Sequence, residues 1–488
     1  MVLRKCTGSP REFDSVTRSA LLITAGLCLP LLMAGCAGPQ PAHRSEEMVA
    51  AALGLGEAIE FRVEGGPIDE PLGLPASGEG LTLAGAIRAA VMTDPQLQAA
   101  LARVRVAMAD ADQARLLPNP VLSMVLRFGG DGSPGVEAGL AQDFIQVLQQ
   151  RRRASAADNR LRVAASEAVT TALDVVQAVE ERYAEVRALD RLAATIEERR
   201  GLLGRVLGVA QARLEAGEGT RPDVTVLEVQ QAEADVELAD AQVRRRAARF
   251  RLARLIGVPS DAAEWTLEDA TSLPSQVAPE QAWIDAALSH RPEVQAGVWT
   301  LAALGDDAAL ARLFPFEGAS AGIEAERDGG DWAAGPALSM PIPVFDMGQA
   351  RRSRVTAEMI EARHNLTLAK RRAIEEVRVA YHELQGSAAT LRRVRDELLP
   401  LQLLRREQAE VAFRAGQSDV TGVFLAERDI RAAQARAAEL EQQTHSALAR
   451  LNRAVGGSGV AATVQSGSAS TSGQPAEPAA PNTPTPTN

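Results

Sequence analysis

Reactive side chains are scarce in this 488-residue sequence, and those present are not spaced for catalysis or metal binding. Its five histidines, His43, His290, His364, His382 and His445, lie at separations that bring no two imidazoles onto one ion. No nucleophile-and-base pair and no phosphate-cradling glycine loop is visible, so the chain is read as a non-enzyme that needs no metal or cofactor. Its 52 Lys plus Arg stand against 63 Asp plus Glu, a net charge of -11, which lacks the footprint of a nucleic-acid binder. The arginine runs Arg151–Arg153, Arg244–Arg246 and Arg351, Arg352 and Arg354 are accordingly read first as solvated helix faces.

One residue does carry chemistry. Arg4, Lys5, Arg11 and Arg18 precede an apolar run from Ala20 to Met33 that is too short for a permanent span and suits an export signal. Met33-Ala34-Gly35-Cys36 then resembles a bacterial lipobox, with Met33 where Leu is usual. Cys6 and Cys28 fall in the removed segment, which leaves Cys36 as the sole thiol of an exported protein. Residues 1–35 are therefore expected to be a lipoprotein signal peptide and Cys36 the point of covalent lipid attachment.

The elements come in two copies. A shift of 197 residues pairs Ile87 with Ile284, Pro95 with Pro292, Ala114-Arg115-Leu116 with Ala311-Arg312-Leu313 and Pro118 with Pro315. A shift of 199 then pairs Ala216-Gly217 with Ala415-Gly416, Glu228 with Glu427 and Gly257 with Gly456. The only two tyrosines, Tyr183 and Tyr381, pair in between. Repeats this long are not solenoid units. The expected organisation is an extended arm (36–80), a first repeat (81–257), a linker (258–277), a second repeat (278–456) and a disordered tail (457–488).

Within each repeat, alternating sequence around a glycine turn predicts a β-hairpin, with strands at about 119–128 and 135–144 and again at about 316–326 and 332–340. Trp332 ends one of these strands, while Trp265, Trp283 and Trp299 are expected in a core. The proline-free stretch from about Ala154 to Ala216 places Val169, Leu173, Val176, Val179 and Tyr183 at helical spacing, which predicts a helix roughly 90 Å long at about 1.5 Å per residue. Gly217 stops it and a second helix returns to about Ile256. The fold class is thus mainly α with a small β part.

Four strands of membrane-crossing length cannot close a barrel, and lipid tolerates no open strand edge. Closure must come from other copies, and three chains would supply twelve strands above a tube of long helices.

These features, with Asp94-Pro95-Gln96-Leu97, Leu116-Leu117-Pro118-Asn119-Pro120, Pro341-Ile342-Pro343-Val344-Phe345-Asp346-Met347-Gly348 and Arg414-Ala415-Gly416, resemble the TolC family of outer-membrane efflux channels, in its lipoprotein branch. The resemblance spans about 81–456. It implies a homotrimer with a 12-stranded barrel and a periplasmic α-helical tunnel, anchored in outer-membrane lipid. It also implies partnership with a periplasmic adaptor protein and an inner-membrane RND-type transporter, for efflux of drugs or metal ions. Export of protein through a type I secretion system, or a lipid-anchored coiled-coil scaffold without channel activity, are the alternatives. The helical turns containing Gly217, Glu218, Asp223, Gly416 and Asp419 are expected to form the periplasmic aperture and the adaptor-docking surface. Asp223 matches a family tip residue that takes part in closing links. The family's paired acidic aperture positions are Gly422 and Leu425 here.

Overall fold

The computed structural model describes residues 61–70, 80–128, 134–268, 277–328, 331–418 and 420–471. The first half runs β1 (Gly80–Leu81), α1 (Leu83–Thr93), α2 (Pro95–Arg115), β2 (Val121–Phe128), β3 (Pro134–Asp143), α3 (Phe144–Glu215) and α4 (Arg221–Leu255). The second runs β4 (Thr266–Leu267), α5 (Glu280–His290), α6 (Pro292–Leu313), β5 (Ser320–Asp328), β6 (Asp331–Ser339), α7 (Gln349–Arg393), α8 (Leu399–Arg414), α9 (Val420–Val455) and α10 (Ser458–Thr471). A five-residue π-turn, Val394–Leu398, separates α7 from α8.

Side-chain caps open the helices of the first half. Thr82 Oγ1 accepts the Gly85 N–H at 2.9 Å to open α1, and Asp94 Oδ1 accepts those of Gln96 and Leu97 at 2.8 and 2.9 Å to open α2 behind Pro95. Asp143 Oδ1 accepts from Gln146 N at 2.9 Å. With that cap and no breaker after it, α3 starts at Phe144, ten residues before the expected Ala154, and runs 72 residues. The second hairpin also departs from expectation. Phe314–Phe316 forms a 3₁₀ turn around Pro315, and Gly318 adopts φ +91°, which delays β5 to Ser320 instead of about 316. The tail expected to be disordered from 457 begins instead with α10, because Ala461 is buried and Val460 and Val464 pack against apolar neighbours.

The chain divides into two compact units. One takes Val106–Leu161 and Ala302–Ile360; the other takes the segment ending at Arg105, Arg162–Leu301 and the chain from Glu361 onward. The first unit holds a four-stranded antiparallel sheet in the order β2-β3-β5-β6. Around it, Arg115 pairs with Asp158 at 2.5 Å, Arg152 with Asp306 at 2.9 Å and Arg160 with Asp307 at 2.6 Å.

The second unit has two matching cores. Tyr183, Val179, Leu252, Ile256 and Trp265 anchor one, and Tyr381, Val377, Leu451, Val455 and Trp283 the other. Trp299 is not core: it is half-buried, with the Arg162 guanidinium 4.3 Å from its ring centroid. The linker closes the first core by pairing β4 with β1 in parallel, and the Tyr183 hydroxyl lies 2.7 Å from Leu81 O and 2.8 Å from Glu268 O. One phenolic proton therefore serves the carbonyls of both segments. Tyr183→Phe removes it at a cost of about 1–2 kcal/mol, and amide exchange at Glu268 is expected to accelerate roughly 5- to 30-fold by hydrogen-exchange mass spectrometry.

Candidate functional site

The sheet has two faces of opposite chemistry. Strand pairing sets Leu122 beside Leu140, Leu140 beside Ile323 and Ile323 beside Pro336, so these four share one row across all strands. Because side chains alternate, the same face carries Met124, Leu126 and Phe128 on β2, Val136 and Ala138 on β3, Ala321 and Ala325 on β5, and Trp332, Ala334 and Leu338 on β6. It is exposed and almost wholly apolar: Leu122 is 67% and Phe128 84% accessible. Soluble surfaces rarely expose so large an apolar area. Its one charge, Arg327, lies 6.0 Å from the Trp332 ring at the hairpin end, where Phe128 also sits.

The opposite face has smaller side chains and most of the charge. It carries Ser123, Arg127, Glu137, Gly139, Gly322, Glu324, Glu326, Gly335 and Ser339, interspersed with Val121, Val125, Ala141, Ala333 and Ala337. Arg127 reaches Glu137 at 2.6 Å and Glu326 at 3.5 Å, which relieves the two carboxylates that face each other across β3 and β5. Glu324, one row away, has no ion pair among the described residues. Both outer strands, β2 and β6, leave an edge unpaired.

In the other unit, α3 and α4 form one helical hairpin and α7, α8 and α9 another, with Gly217, Glu218 and Gly416 in the turns. Gly217 and Gly416 adopt φ +74° and +68°, left-handed conformations that end α3 and α8. Glu218 is exposed next to Gly217, and its N–H donates to Arg213 O at 2.9 Å. Asp223 serves its own turn: its carboxylate accepts from Thr220 Oγ1 at 2.6 Å and Thr220 N at 3.3 Å, a capping box at the start of α4. The two hairpins are joined near the turns by an apolar cluster of Ala210, Val224, Leu227, Phe413 and Val423. Asp419 and Cys36 lie outside the described residues. Among the described residues no helix is long and apolar enough to cross a membrane, and no cluster could hold a metal ion.

The model of the outer membrane efflux protein family matches residues 86–258 and again 283–457. The chain belongs to this family. The cobalt-zinc-cadmium resistance protein CzcC of Cupriavidus metallidurans is 24% identical to this efflux protein over 385 residues, covering 77% of the chain and 90% of CzcC. In the solved outer membrane protein VceC of Vibrio cholerae, 96% of that chain superposes on 77% of this one with a TM-score of 0.64 at 20% identity. CusC, solved in work on its transmembrane channel formation, gives a TM-score of 0.63 at 16% identity, covering 82% of this chain and 99% of CusC. VceC is an outer membrane protein and CusC one that forms a transmembrane channel, both share this fold, and none of the three relatives is named as an enzyme.

Sequence reading of this efflux protein missed one polar cluster. Arg199 on α3 donates to Glu237 on α4 at 2.7 Å, Glu237 also accepts from Arg431 on α9 at 3.1 Å, and Arg406 on α8 lies 3.9 Å from Glu427 on α9. Arg199 and Glu427 are both buried. The only signal was the alignment of Glu427 with Glu228, and Glu228 is exposed.

Proposed function

We propose that this protein is the outer-membrane channel of a tripartite efflux pump. Three copies close a twelve-stranded barrel, Cys36 carries the lipid anchor, and the helical hairpins continue as a periplasmic tunnel whose tips dock a periplasmic adaptor and an inner-membrane RND-type transporter. The single observation that carries this reading is the two-faced open sheet. An apolar face suits lipid, a face of small residues that carries Arg127, Glu137, Glu324 and Glu326 suits water, and two free edges suit neighbours that complete the ring. A lipid-anchored scaffold would have no use for such a sheet. The two family matches start 197 residues apart and end 199 apart, the same shifts at which the sequence aligns with itself, which supports the tandem duplication.

The cargo is small solute, metal ions or drugs, driven by the partner pump. The water face adds a preference: Glu324 has no ion pair among the described residues, and Glu137 and Glu326 share one arginine, so each copy brings net negative charge to the lumen. In planar lipid bilayers the purified protein is expected to give stepwise conductance with cations favoured over anions. Replacing Glu324 and Glu326 together by Gln should lower that permeability ratio severalfold at low salt and less at high salt, as screening requires. Heat-modifiable oligomers that carry no current would overturn the channel reading.

A further inference from the structure

The second helical hairpin contains a combination that the first lacks. Helix α3 is continuous, whereas its counterpart is interrupted by the π-turn Val394–Leu398, with Pro400 two residues beyond it. Proline removes a backbone donor and a π-turn breaks the regular α-helical pattern, so the helical ladder is weakest where α7 passes into α8. Arg395 in the π-turn is held at 2.8 Å by Glu441 on α9, which also pairs with Arg191 on α3. Leu391, Val394 and Leu440 pack beside it. The Arg199–Glu237–Arg431 bridge and Glu427 lie farther along, between this point and the turn at Gly416.

Glu427 is anomalous within that bridge. It is 8% exposed, yet its Oε2 is buried and accepts no hydrogen bond. Arg406 Nη1, at 3.9 Å, is beyond hydrogen-bond reach. Arg199 and Arg431 are both committed to Glu237. Glu410 on α8 adds negative charge, since it lies 3.5 Å from the same Arg406. A buried anionic oxygen without a donor is costly, and the cost falls if it binds a proton or if the seam opens to water.

We propose that Glu427 is a proton-binding latch of the seam between the two helical hairpins: the seam is closed with Glu427 neutral and loosens beyond the π-turn when Glu427 ionises. The direction follows from linkage. Burial pushes the Glu427 carboxyl above the usual carboxylate range, against the opposing pull of Arg406 and Arg199. The closed seam therefore holds the proton more tightly than an opened, hydrated one, so acid favours closure. Closure weakens as pH rises through the raised pKa. As regulation of transport this rests on the channel reading above; as a property of the hairpins it does not.

The test places spin labels on cysteines at Val229 of α4 and Leu425 of α9, in detergent-solubilised full-length oligomers diluted with unlabelled chain, and reads the distance by double electron-electron resonance. As the pH is raised from about 5 to about 8, the wild-type distribution should lengthen and broaden. Glu180 is pushed up to about 7 by burial and then by Glu181, so it titrates in the same window and the wild-type response alone assigns nothing. Glu427→Gln should hold the short distance at both pH values, and Glu427→Met should do the same should the amide variant fail to assemble. A Glu427 variant that shifts as the wild type does, or a wild type that does not shift, overturns the latch. The readout requires no current, so a chain that never conducts would defeat the channel reading alone.

Discussion

A chain carrying Ser123→Cys and Ser339→Cys together is expected to run as a covalent trimer under oxidising, denaturing conditions, while either single variant gives no such band. The pairing follows from geometry. In the order β2-β3-β5-β6 with every neighbour antiparallel, β6 runs opposite to β2, so β6 of one copy can join β2 of the next in the same antiparallel sense. A straight path across the sheet from Leu122 ends at Pro336. Twelve strands about 4.8 Å apart, rising about 3.4 Å per residue and tilted about 35–45°, need a total stagger of roughly 12–17 residues. Threefold symmetry and preservation of the two faces require a multiple of six, which leaves about 12, or four residues per copy. Of the two directions, only a shift toward the hairpin keeps most of β2 paired, because Pro118 and Pro120 precede the strand. Pro336 then meets Leu126 of the neighbour, and Ser339 meets its Ser123. The slipped pair Ser123→Cys with Ala337→Cys should cross-link poorly. Equal yields from both pairs would reject this register, and cross-linked dimers without trimers would reject the threefold ring.

The sequence revealed much of this sheet because alternation is a local property. Leu122, Met124, Leu126 and Phe128 announce one face before any fold is known, and β2 falls within the expected 119–128. Boundaries were less readable where a cap or turn outranked periodicity. Asp143 carries α3 back to Phe144, and the 3₁₀ turn at Pro315 moves β5 to Ser320. Asp223 shows a different limit. Its chemical type fits a closing link and a helix cap equally, and only the Thr220 contacts place its carboxylate in a cap. The Glu427 cluster was beyond reach for a third reason. Its members come from four helices spread between residues 199 and 431, and each alone reads as a charge on an exposed helical face. Periodicity finds which face is buried, not which charges meet inside it.

The largest stability effect is expected at the centre of the apolar face. Ile323 is half-exposed in the row of Leu122, Leu140 and Pro336, away from both the hairpin end and the helix start. An arginine at the midplane of a lipid-facing strand costs about 2–4 kcal/mol, so three copies in one ring would lose roughly 6–12 kcal/mol together. Ile323→Arg should therefore abolish heat-modifiable oligomers on insertion into vesicles. The neighbouring position offers the control. Gly322 faces the other way but cannot accept a side chain, because an added Cβ would lie 2.1 Å from Leu140 O. Glu324 faces that same side with room and water, so Glu324→Arg should assemble normally and shift conductance toward anions. Two arginines one residue apart on one strand would then have opposite consequences, which hydropathy summed along the strand cannot produce. Equal tolerance of both would mean that the strand does not divide lipid from water.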